Sequence, residues 1–453
     1  MRRIYLVVLV IAILVLPSCA QPPETLPPTE TIPPAPTPPP DTTPPSAISG
    51  LVVVNAYDGR VNLWWDKSTA EDFDHYNIYL DKAEMVGVTG MTPVQQIKNI
   101  ANNTYQATGL EDGTRYYFAV TAVDKNGNES TKVTGVSATP VPMPRGTKDP
   151  DLIVDVYQPD KVWAGTTLLP LNYGTQLSRI VEVNMLGEIV WQYIAPKFGV
   201  NMGVEAELLP NNNILYTLGG SGVFEIDRSG KVVWQYLTSK ADHDADRLPN
   251  GNTIFVFGCY DQKSDAQVTE VNSKGEVVWS WHAIDHFNRP PFNEIDFEGF
   301  VHTNAVSRLT SGNTLISLRN FNFVVEVDPK GEVVRTIGEG ILDDQHDPEI
   351  LPNGNLLAAQ QNLLPQDRQK PQAGIEIDPK TGKVVWSYPM PGQLVRDANR
   401  LPNGNTLITG GTEIVEVTPQ GEIVWRLILK GEIKDKYMRD GFYKADRIGI
   451  AAP

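Results

Sequence analysis

A short turn sequence, Leu-Pro-Asn-Gly-Asn or a close variant, recurs in the last two-thirds of this 453-residue chain. Each copy leads to a second repeated segment, an acidic residue followed by Gly-x-Val-Val-Trp or a relative of it. The turns start at Leu209, Leu248, Leu309, Leu351 and Leu401, and the second segments start at Glu182, Glu225, Glu270, Glu326, Glu376 and Glu416. Short strands repeated at intervals of 40 to 56 residues are typical of a β-propeller. The repeats therefore predict that residues 152–453 form an all-β, six-bladed propeller with about 50 residues in each blade.

The turn also predicts a strand register. Asn-Gly readily adopts the positive φ values of a two-residue type I′ turn, which would place the residue five before each turn leucine opposite the residue ten after it. On this register Arg319 lies directly opposite Asn304. The residue five before the leucine, here called the rim position, is occupied in turn by Val204, His243, Asn304, His346 and Arg396.

Four of these five rim residues are polar, although a buried strand favours aliphatic side chains. His302 lies two residues before Asn304 and shares its face, because side chains alternate along a strand. We expect these polar side chains, together with Arg319, to line one end of the central funnel as a functional site. Taken singly, a histidine or arginine in such a strand is more often structural, bonding a neighbouring turn or forming an ion pair.

The repeated tryptophans have a different predicted role. They belong to the second repeated segment rather than to the rim, and we expect them to pack between blades. Arg335 replaces the tryptophan in the fourth repeat. The residues concerned are Trp191, Trp234, Trp279, Trp386 and Trp425.

A metal site is a competing interpretation of the histidines. Three of them could bind zinc, but no cysteine cluster or short histidine motif accompanies them, so neither a metal nor a cofactor is predicted. His282 and His286 are four residues apart, a spacing that could serve a metal on a helix. They lie in an aromatic-rich insertion, which favours a packing segment or a lid.

The amino terminus resembles a bacterial lipoprotein leader. Arg2 and Arg3 precede an apolar run that ends in Leu-Pro-Ser-Cys, which predicts a signal peptide over residues 1–18 and lipidation of Cys19. An ordinary signal peptide or an uncleaved anchor is the alternative, and each of these places the protein outside the cytoplasm. Lipidation would attach the chain to a membrane in the periplasm or at the cell surface. Cys259 would then have no cysteine partner for an intrachain disulfide.

Composition describes the next segment and excludes one class of partner. Residues 19–46 are rich in Pro and Thr and predict an extended linker. The formal net charge is −16 and would become −18 on loss of the two leader arginines. So acidic a chain argues against nucleic acid as a partner.

Residues 47–140 predict a small β-sandwich. Alternating strands contain Trp64, Tyr76 and Tyr116, and the segment from Leu110 to Tyr116 has the pattern of a tyrosine corner. The segment resembles a fibronectin type III domain. We expect a spacer, or an adhesion module that contacts a cell surface or a glycan.

The rim residues suggest a chemistry before any family is considered. A neutral imidazole can act as a covalent nucleophile, and cationic side chains can hold a group whose charge is spread over several oxygens. A sulfuryl group has three such oxygens around a central sulfur that an in-line nucleophile can attack. Its transfer parallels phosphoryl transfer with less charge and no obligate metal.

The propeller segment resembles the bacterial arylsulfate sulfotransferases. The resemblance lies in Lys161–Leu169 and in the Gly-Glu-Ile-Val-Trp segment that ends at Trp191. It continues in the His-Thr-Asn run at residues 302–304, in Arg319, in the Gln-His pair at 345–346, and in a closing strand at 442–448. Members of this family are six-bladed propellers that move a sulfuryl group from a phenolic sulfate to another phenol through a sulfohistidine, without a nucleotide donor.

The resemblance implies roles for particular residues. His346 matches the nucleophile, while His302, Asn304 and Arg319 match the group that binds the sulfuryl oxygens. His243 matches a further funnel histidine, which would stabilise charge or handle the phenolic proton. Arg396 comes from the repeat alone and is predicted to bind substrate. The substrates would be a small aryl sulfate and a phenol.

Two other functions remain open at this point. The first is a non-catalytic surface module that binds a glycan or a sulfated ligand. The second is a metal-dependent lyase or hydrolase. Release of phenol from an aryl sulfate would separate the transferase from the binding module.

Overall fold

The structure is a computed structural model that describes residues 41–133, 135–159, 161–173, 177–195, 204–295, 298–361, 371–430 and 441–449. The predicted signal peptide, Cys19 and most of the predicted linker lie outside these residues. The chain divides into two compact units, Met1–Thr42 and Thr43–Pro453. The second unit contains all the elements given below. In the described part of the chain, no helix is long and apolar enough to cross a membrane.

Seven strands form a β-sandwich at the start of this unit. One sheet has the order β1-β2-β5 and the other has the order β4-β3-β6-β7. Trp65, Tyr76 and Phe118 are fully buried between them. The Tyr116 hydroxyl accepts a hydrogen bond of 3.0 Å from the amide of Glu111, which confirms the predicted tyrosine corner. The strands are β1 Val52–Tyr57, β2 Arg60–Trp64, β3 Phe73–Asp81, β4 Gln95–Ile97, β5 Thr104–Ala107, β6 Tyr116–Asp124 and β7 Val136–Ala138.

Six further sheets form the blades of a propeller, as predicted. Blade 1 contains β10, β11 and β12, and blades 2 to 6 each contain four consecutive strands from β13 to β32. The first strands after the sandwich are β8 Thr147–Lys148, β9 Leu152–Tyr157, β10 Thr166–Tyr173, β11 Leu177–Val183 and β12 Glu188–Ala195. Blade 2 has β13 Val204–Leu208, β14 Ile214–Leu218, β15 Gly222–Ile226 and β16 Val232–Leu237. Blade 3 has β17 Asp242–Arg247, β18 Thr253–Val256, β19 Val268–Val271 and β20 Val277–Trp281.

The second half of the propeller repeats this order and adds two short 3₁₀ turns, Ala283–Asp285 before blade 4 and Arg319–Phe321 within it. Blade 4 has β21 Thr303–Arg308, β22 Thr314–Leu318, β23 Phe323–Val327 and β24 Val333–Ile337. Blade 5 has β25 Gln345–Ile350, β26 Leu356–Gln360, β27 Ala373–Asp378 and β28 Lys383–Pro389. Blade 6 has β29 Asp397–Arg400, β30 Thr406–Thr409, β31 Glu413–Val417 and β32 Ile423–Leu429. The last strands in the described part of the chain are β33 Gly441–Phe442 and β34 Asp446–Ile448.

The two ends of the propeller segment close the ring. Strands β33 and β34 pair with β10 and so supply the innermost strand of blade 1. At the other edge, β9 pairs with β32 and extends blade 6 outward. This exchange makes the first and last blades depend on each other, because each is completed by chain from the opposite end of the segment.

The repeated turn is not the type I′ turn that the sequence predicted. In blade 3, the amide of Leu248 donates to the carbonyl of Asn252, and the amide of Gly251 donates to the carbonyl of Leu248. Gly251 has a φ of 86°, and it is the one residue of this turn with a positive φ. The turn is therefore a three-residue loop with a glycine bulge. The extra residue shifts the register by one, so that Arg247 pairs with Thr253.

The tryptophans pack between blades, as predicted. Each lies against an arginine of the following blade, as the Arg247 guanidinium does at 4.6 Å from the Trp234 ring centre. The same arginine pairs with Glu225 of the preceding blade at 2.8 Å. The matching Arg–Trp pairs are Arg228 with Trp191, Arg308 with Trp279, Arg400 with Trp386 and Arg447 with Trp425. Arg335, which replaces the tryptophan in blade 4, instead pairs with Glu326 of its own blade at 2.7 Å.

Candidate functional site

The innermost strands of blades 3 to 6 begin at the same end of the propeller, and the predicted site residues lie there. Neighbouring inner strands touch around the axis, as β17 does with β21 and β21 with β25. The structure brings all six predicted residues into one connected group. They are His243, His302, Asn304, Arg319, His346 and Arg396, and the contacts that join them are described below.

His243 and His302 form a direct pair. Their Nε2 atoms lie 3.2 Å apart, and the rings meet edge to face with centres 4.9 Å apart. Both residues have a φ of 51°, a left-handed conformation that is costly for a residue other than glycine. In β17 the backbone bulges between Asp242 and Ala245, which turns the His243 side chain toward the neighbouring blade.

The hydrogen bonds of this pair define its proton positions. Arg319 can only donate, so its Nη1 atom, 3.4 Å away, makes Nδ1 of His302 an acceptor. A neutral His302 then carries its proton on Nε2 and donates it to Nε2 of His243. Nδ1 of His243 in turn donates to the Asp242 carboxylate at 2.9 Å. Burial, with the positive charge of Arg319, holds the pKa of His302 well below its usual value.

Arg319 does not lie opposite Asn304, so this part of the prediction was wrong. The turn register is one residue different, and Asn304 lies in a bulge of β21 between the paired residues Thr303 and Ala305. Arg319 itself begins the 3₁₀ turn after β22. Arg319 nevertheless reaches the site through His302.

Two carboxylates hold the Arg319 guanidinium. Nη1 lies 2.6 Å from Glu298, and Nη2 lies 3.5 Å from Asp344. Burial opposes the charged form, but Asp344 and Glu298 outweigh it and raise the pKa of Arg319. The site therefore contains a permanent cation fixed from two sides.

His346 is buried in β25, with 5% of its surface exposed. Its Nδ1 atom lies 3.0 Å from the carbonyl oxygen of Asp344. A carbonyl only accepts, so Nδ1 carries the proton and Nε2 keeps its lone pair. Burial, followed by the charge of Arg319, holds the pKa of His346 well below its usual value. The imidazole is thus a neutral group with one unprotonated nitrogen.

Asn304 and Arg396 are the two remaining predicted site residues. Nδ2 of Asn304 donates to the carbonyl of Gln345 at 2.8 Å, directly beside His346, and Oδ1 is buried without a hydrogen-bond partner in the described residues. Arg396 donates from Nη1 to the carbonyl of Phe442 at 3.1 Å. Asn304 thus fixes the strand that carries His346, whereas Arg396 contacts the closing strand.

Tyr443 lies at the centre of the group, although the repeat pattern did not predict it. Its ring centre is 6.0 Å from His243 and 6.4 Å from His346, and the Arg396 guanidinium lies 5.2 Å from it. Burial raises the pKa of its hydroxyl, which has no hydrogen-bond partner in the described part of the chain. A buried aromatic ring thus lies between His346 and the histidine pair.

Tyr443 could not be predicted from the repeats because it lies in the closing strand. In the closing strand β34, Arg447 pairs with Thr167 of β10. In blade 2, Leu208 of β13 pairs with Ile214 of β14 in the same way, so β34 and β13 occupy equivalent positions in their blades. Tyr443, four residues before Arg447, therefore occupies the rim position of blade 1. Ile448 stands where the other repeats have the turn leucine, and the Pro-Asn-Gly-Asn letters do not follow it.

A cluster of buried charged side chains lies one residue beyond the rim position along the inner strands. This cluster was not predicted from the sequence. The Lys444 ammonium contacts the carboxylates of Glu205, Asp244 and Asp347 at 2.9, 3.0 and 2.8 Å. Burial opposes the charge, but these carboxylates raise the pKa of Lys444 well above its usual value. The signal was present, since the residue four before the turn leucine is Glu205, Asp244, Ala305, Asp347 and Asp397 in turn.

His282 and His286 are not part of the site. The His286 ring stacks on Trp281 with centres 5.7 Å apart, and Phe287 packs against Phe292, Phe321 and Phe323. These contacts confirm the packing interpretation of this aromatic insertion.

Comparisons with known proteins agree with the predicted family. The family model described as arylsulfotransferase (ASST) matches residues 168–341, and the fibronectin type III model matches residues 44–136. No curated protein matches the chain.

Three solved structures are similar at low sequence identity. A protein of unknown function from Bacteroides caccae is 19% identical with a TM-score of 0.46, covering 63% of this chain and 99% of its own. A catalytically inactive virginiamycin B lyase from Staphylococcus aureus with quinupristin is 11% identical with a TM-score of 0.40, covering 63% and 90%. The WD40 β-propeller domain of Doa1 is 14% identical with a TM-score of 0.38, covering 72% and 91%. The two matches agree with the resemblances found in the sequence: residues 168–341 are similar to the arylsulfotransferase family, and residues 44–136 are similar to the fibronectin type III domain.

Proposed function

We propose that the propeller transfers a sulfuryl group from an aryl sulfate to a phenol through a covalent intermediate on His346. The observation that carries this proposal is the state of the His346 imidazole. Its Nδ1 proton is engaged by the Asp344 carbonyl at 3.0 Å, which leaves the Nε2 lone pair for attack. Asp344 links this imidazole to the cation, because its carbonyl engages His346 and its carboxylate lies 3.5 Å from Nη2 of Arg319.

In the first half of the reaction, Nε2 of His346 attacks the sulfur of the aryl sulfate. The N–S bond forms while the bond between sulfur and the aryl oxygen breaks, and the electron pair leaves with the phenolate. The imidazole gains positive character as it is sulfurylated. The Asp344 carbonyl stabilises that character, because it accepts a hydrogen bond from Nδ1–H throughout.

The sulfuryl oxygens need donors that are already in place. Arg319 supplies a fixed guanidinium, and His302 supplies the Nε2 proton that it otherwise gives to His243. Asn304 has a second Nδ2 hydrogen beyond the one donated to Gln345. Donors held in position before the reaction stabilise the developing charge without reorganisation.

His243 handles the phenolic proton in both halves. When protonated, it is stabilised by the Asp242 carboxylate at 2.9 Å, and it gives a proton to the departing phenolate. The acceptor phenol later returns a proton to His243 as its oxygen attacks the sulfur and the N–S bond breaks. Tyr443 contacts both histidine rings and would position the aryl group between them.

We propose further that the protein acts outside the cytoplasm with Cys19 as its membrane attachment, because residues 1–19 resemble a lipoprotein leader. The aryl sulfate and the phenol would be small molecules. The arylsulfotransferase match supports this substrate class, and the rim residues supply a chemistry that suits it.

Release of phenol from a chromogenic aryl sulfate, with and without a phenolic acceptor, tests the proposal. The wild-type chain should release phenol and sulfate the acceptor, and His346→Asn should do neither. His75→Asn, in the sandwich domain, is the matched control and should behave as wild type. No turnover with any of several donors, combined with saturable binding of an aryl sulfate that survives His346→Asn, would instead establish the non-catalytic binding module.

A further inference from the structure

Three potential metal ligands from two blades converge beside the proposed nucleophile. The Sγ atom of Cys259 lies 3.8 Å from Nε2 of His243 and 3.7 Å from Nε2 of His302. The two Nε2 atoms lie 3.2 Å apart. Ligands on tetrahedral Zn²⁺, with Zn–N near 2.0–2.1 Å and Zn–S near 2.3 Å, are separated by about 3.3 Å between nitrogens and about 3.6 Å between nitrogen and sulfur. We propose that His243, Cys259 and His302 form a binding site for Zn²⁺.

The hydrogen bonds around His243 are those of a metal ligand. Nδ1 donates to the Asp242 carboxylate, which leaves Nε2 directed at the cluster. Metal-bound histidines commonly give their second ring proton to a carboxylate in this way. The same carboxylate accepts the amides of Gly258 and Cys259, each at 2.9 Å. Asp242 therefore orients two of the three ligands at once.

A second carboxylate fixes the third ligand. Asp261 accepts the amides of Val301 and His302 at 3.2 Å, which holds the segment that leads into β21. Gly258 lies against this segment so closely that a Cβ atom there would be 2.2 Å from the carbonyl of Thr303. The backbones that carry the ligands are thus held together before any ion binds.

The charge and ligand types favour a zinc-like ion. A thiolate and two imidazoles are soft or intermediate donors that suit Zn²⁺ rather than Ca²⁺ or Mg²⁺. Binding would displace the protons from Cys259 and from Nε2 of His302. Nδ1 of His302 would then carry the proton, so Arg319 would have to give up its 3.4 Å contact with Nδ1 and keep its pairs with Glu298 and Asp344.

Three protein ligands leave one position for water or an anionic oxygen. The ion would also occupy the Nε2 lone pair that His243 needs for proton transfer, so zinc binding and that step exclude each other. Binding itself does not depend on sulfuryl transfer, and its failure would leave the proposed transferase chemistry intact.

Metal binding to the chelator-washed full-length chain tests this inference. We expect one Zn²⁺ per chain by elemental analysis and by calorimetry. Co²⁺ should add a thiolate-to-metal charge-transfer absorption, because sulfur is a ligand. Cys259→Ser should abolish that absorption and weaken Zn²⁺ binding at least tenfold, and Asp242→Asn should weaken it on the order of 10- to 100-fold.

Two matched variants separate this site from others. Cys19→Ser removes the other cysteine, and His75→Asn removes a histidine of the sandwich domain, so both should keep the stoichiometry and the cobalt absorption. Thermal unfolding confirms that each variant is folded. Absence of Zn²⁺ binding by the wild-type chain, or binding that Cys259→Ser leaves unchanged, would overturn the inference.

Discussion

Nδ1 of His346 lies 3.0 Å from the carbonyl oxygen of Asp344, two residues earlier in the chain. Asp344 has a φ of 47°, and Asp347 has a φ of 43°. These left-handed residues flank His346 at the bulged start of β25. Residues with strained backbones that surround a chemical group are typical of functional sites. Here the strained backbone directs a carbonyl at Nδ1 of His346. This contact fixes the tautomer that the proposed attack by Nε2 requires.

Arg319→Lys should reduce transferase activity on the order of 10²- to 10³-fold. Lysine keeps the charge but loses the planar fork that contacts Glu298, Asp344 and His302 together. Steady-state kinetics with an aryl sulfate measure the effect. Arg335→Lys is the matched control, because Arg335 pairs with Glu326 of its own blade, away from the rim, and it should retain activity. Equal activity in the two variants would contradict the assigned role.

The pH dependence of kcat/KM should report the depressed pKa of His346. Burial and the charge of Arg319 hold that pKa well below the usual 6.5, so the neutral nucleophile persists as the pH falls through 6.5. The acid limb of the profile should therefore lie below pH 6.5. Arg319→Gln removes the positive charge that lowers the pKa of His346. The acid limb of the activity that remains should therefore move to higher pH. A wild-type limb at or above pH 6.5 would argue against His346 as the group observed.

The fold was predictable from the sequence because its repeats are local. Each turn and each outer-strand tryptophan lies within one repeat, so spacing alone indicated six blades and the packing of Trp234 against the next blade. The register of the paired strands was harder to predict from the sequence. A three-residue turn with a glycine bulge and a two-residue turn can share the letters Pro-Asn-Gly-Asn, and which one forms depends on the φ of Asn250 and Gly251.

The site was predictable where the repeat could be aligned. His243, Asn304, His346 and Arg396 occupy equivalent positions, and the structure brings them together. Cys259, Glu298 and Tyr443 fall outside that alignment, because two lie in connections between strands and the third lies in the closing strand. Their proximity to the rim depends on bulges and ring closure, which spacing does not reveal.

Lys444→Met should lower the free energy of unfolding by about 3–5 kcal/mol at neutral pH. The substitution leaves the carboxylates of Glu205, Asp244 and Asp347 buried without their common cation. Denaturant unfolding measures the loss, which should shrink at low pH as the carboxylates take up protons. Lys161→Met breaks the exposed pair with Glu422 and should cost at most about 1 kcal/mol. Similar losses in the two variants would contradict the role assigned to Lys444.

Glu207→Gln should flatten the pH dependence of stability. Burial, followed by Asp446 and Asp244, raises the pKa of Glu207 from 4.5 to about 8. Its contribution is therefore fully present below about pH 4.5 and is lost as the pH rises through about 8. Unfolding measured across this range should show a shallower decline for Glu207→Gln than for wild type. The exposed residue Glu71 provides a control, since Glu71→Gln should leave the wild-type slope unchanged.

The central claim is that His346 becomes sulfurylated, and trapping the intermediate tests it most directly. The full-length chain is mixed with a sulfur-labelled aryl sulfate in the absence of any acceptor, then quenched at alkaline pH and digested. We expect release of one phenol per chain and one labelled sulfuryl group on Nε2 of His346. The label should be lost on addition of a phenol and absent from His346→Asn. Label on a different residue, or turnover that persists in His346→Asn, would contradict it.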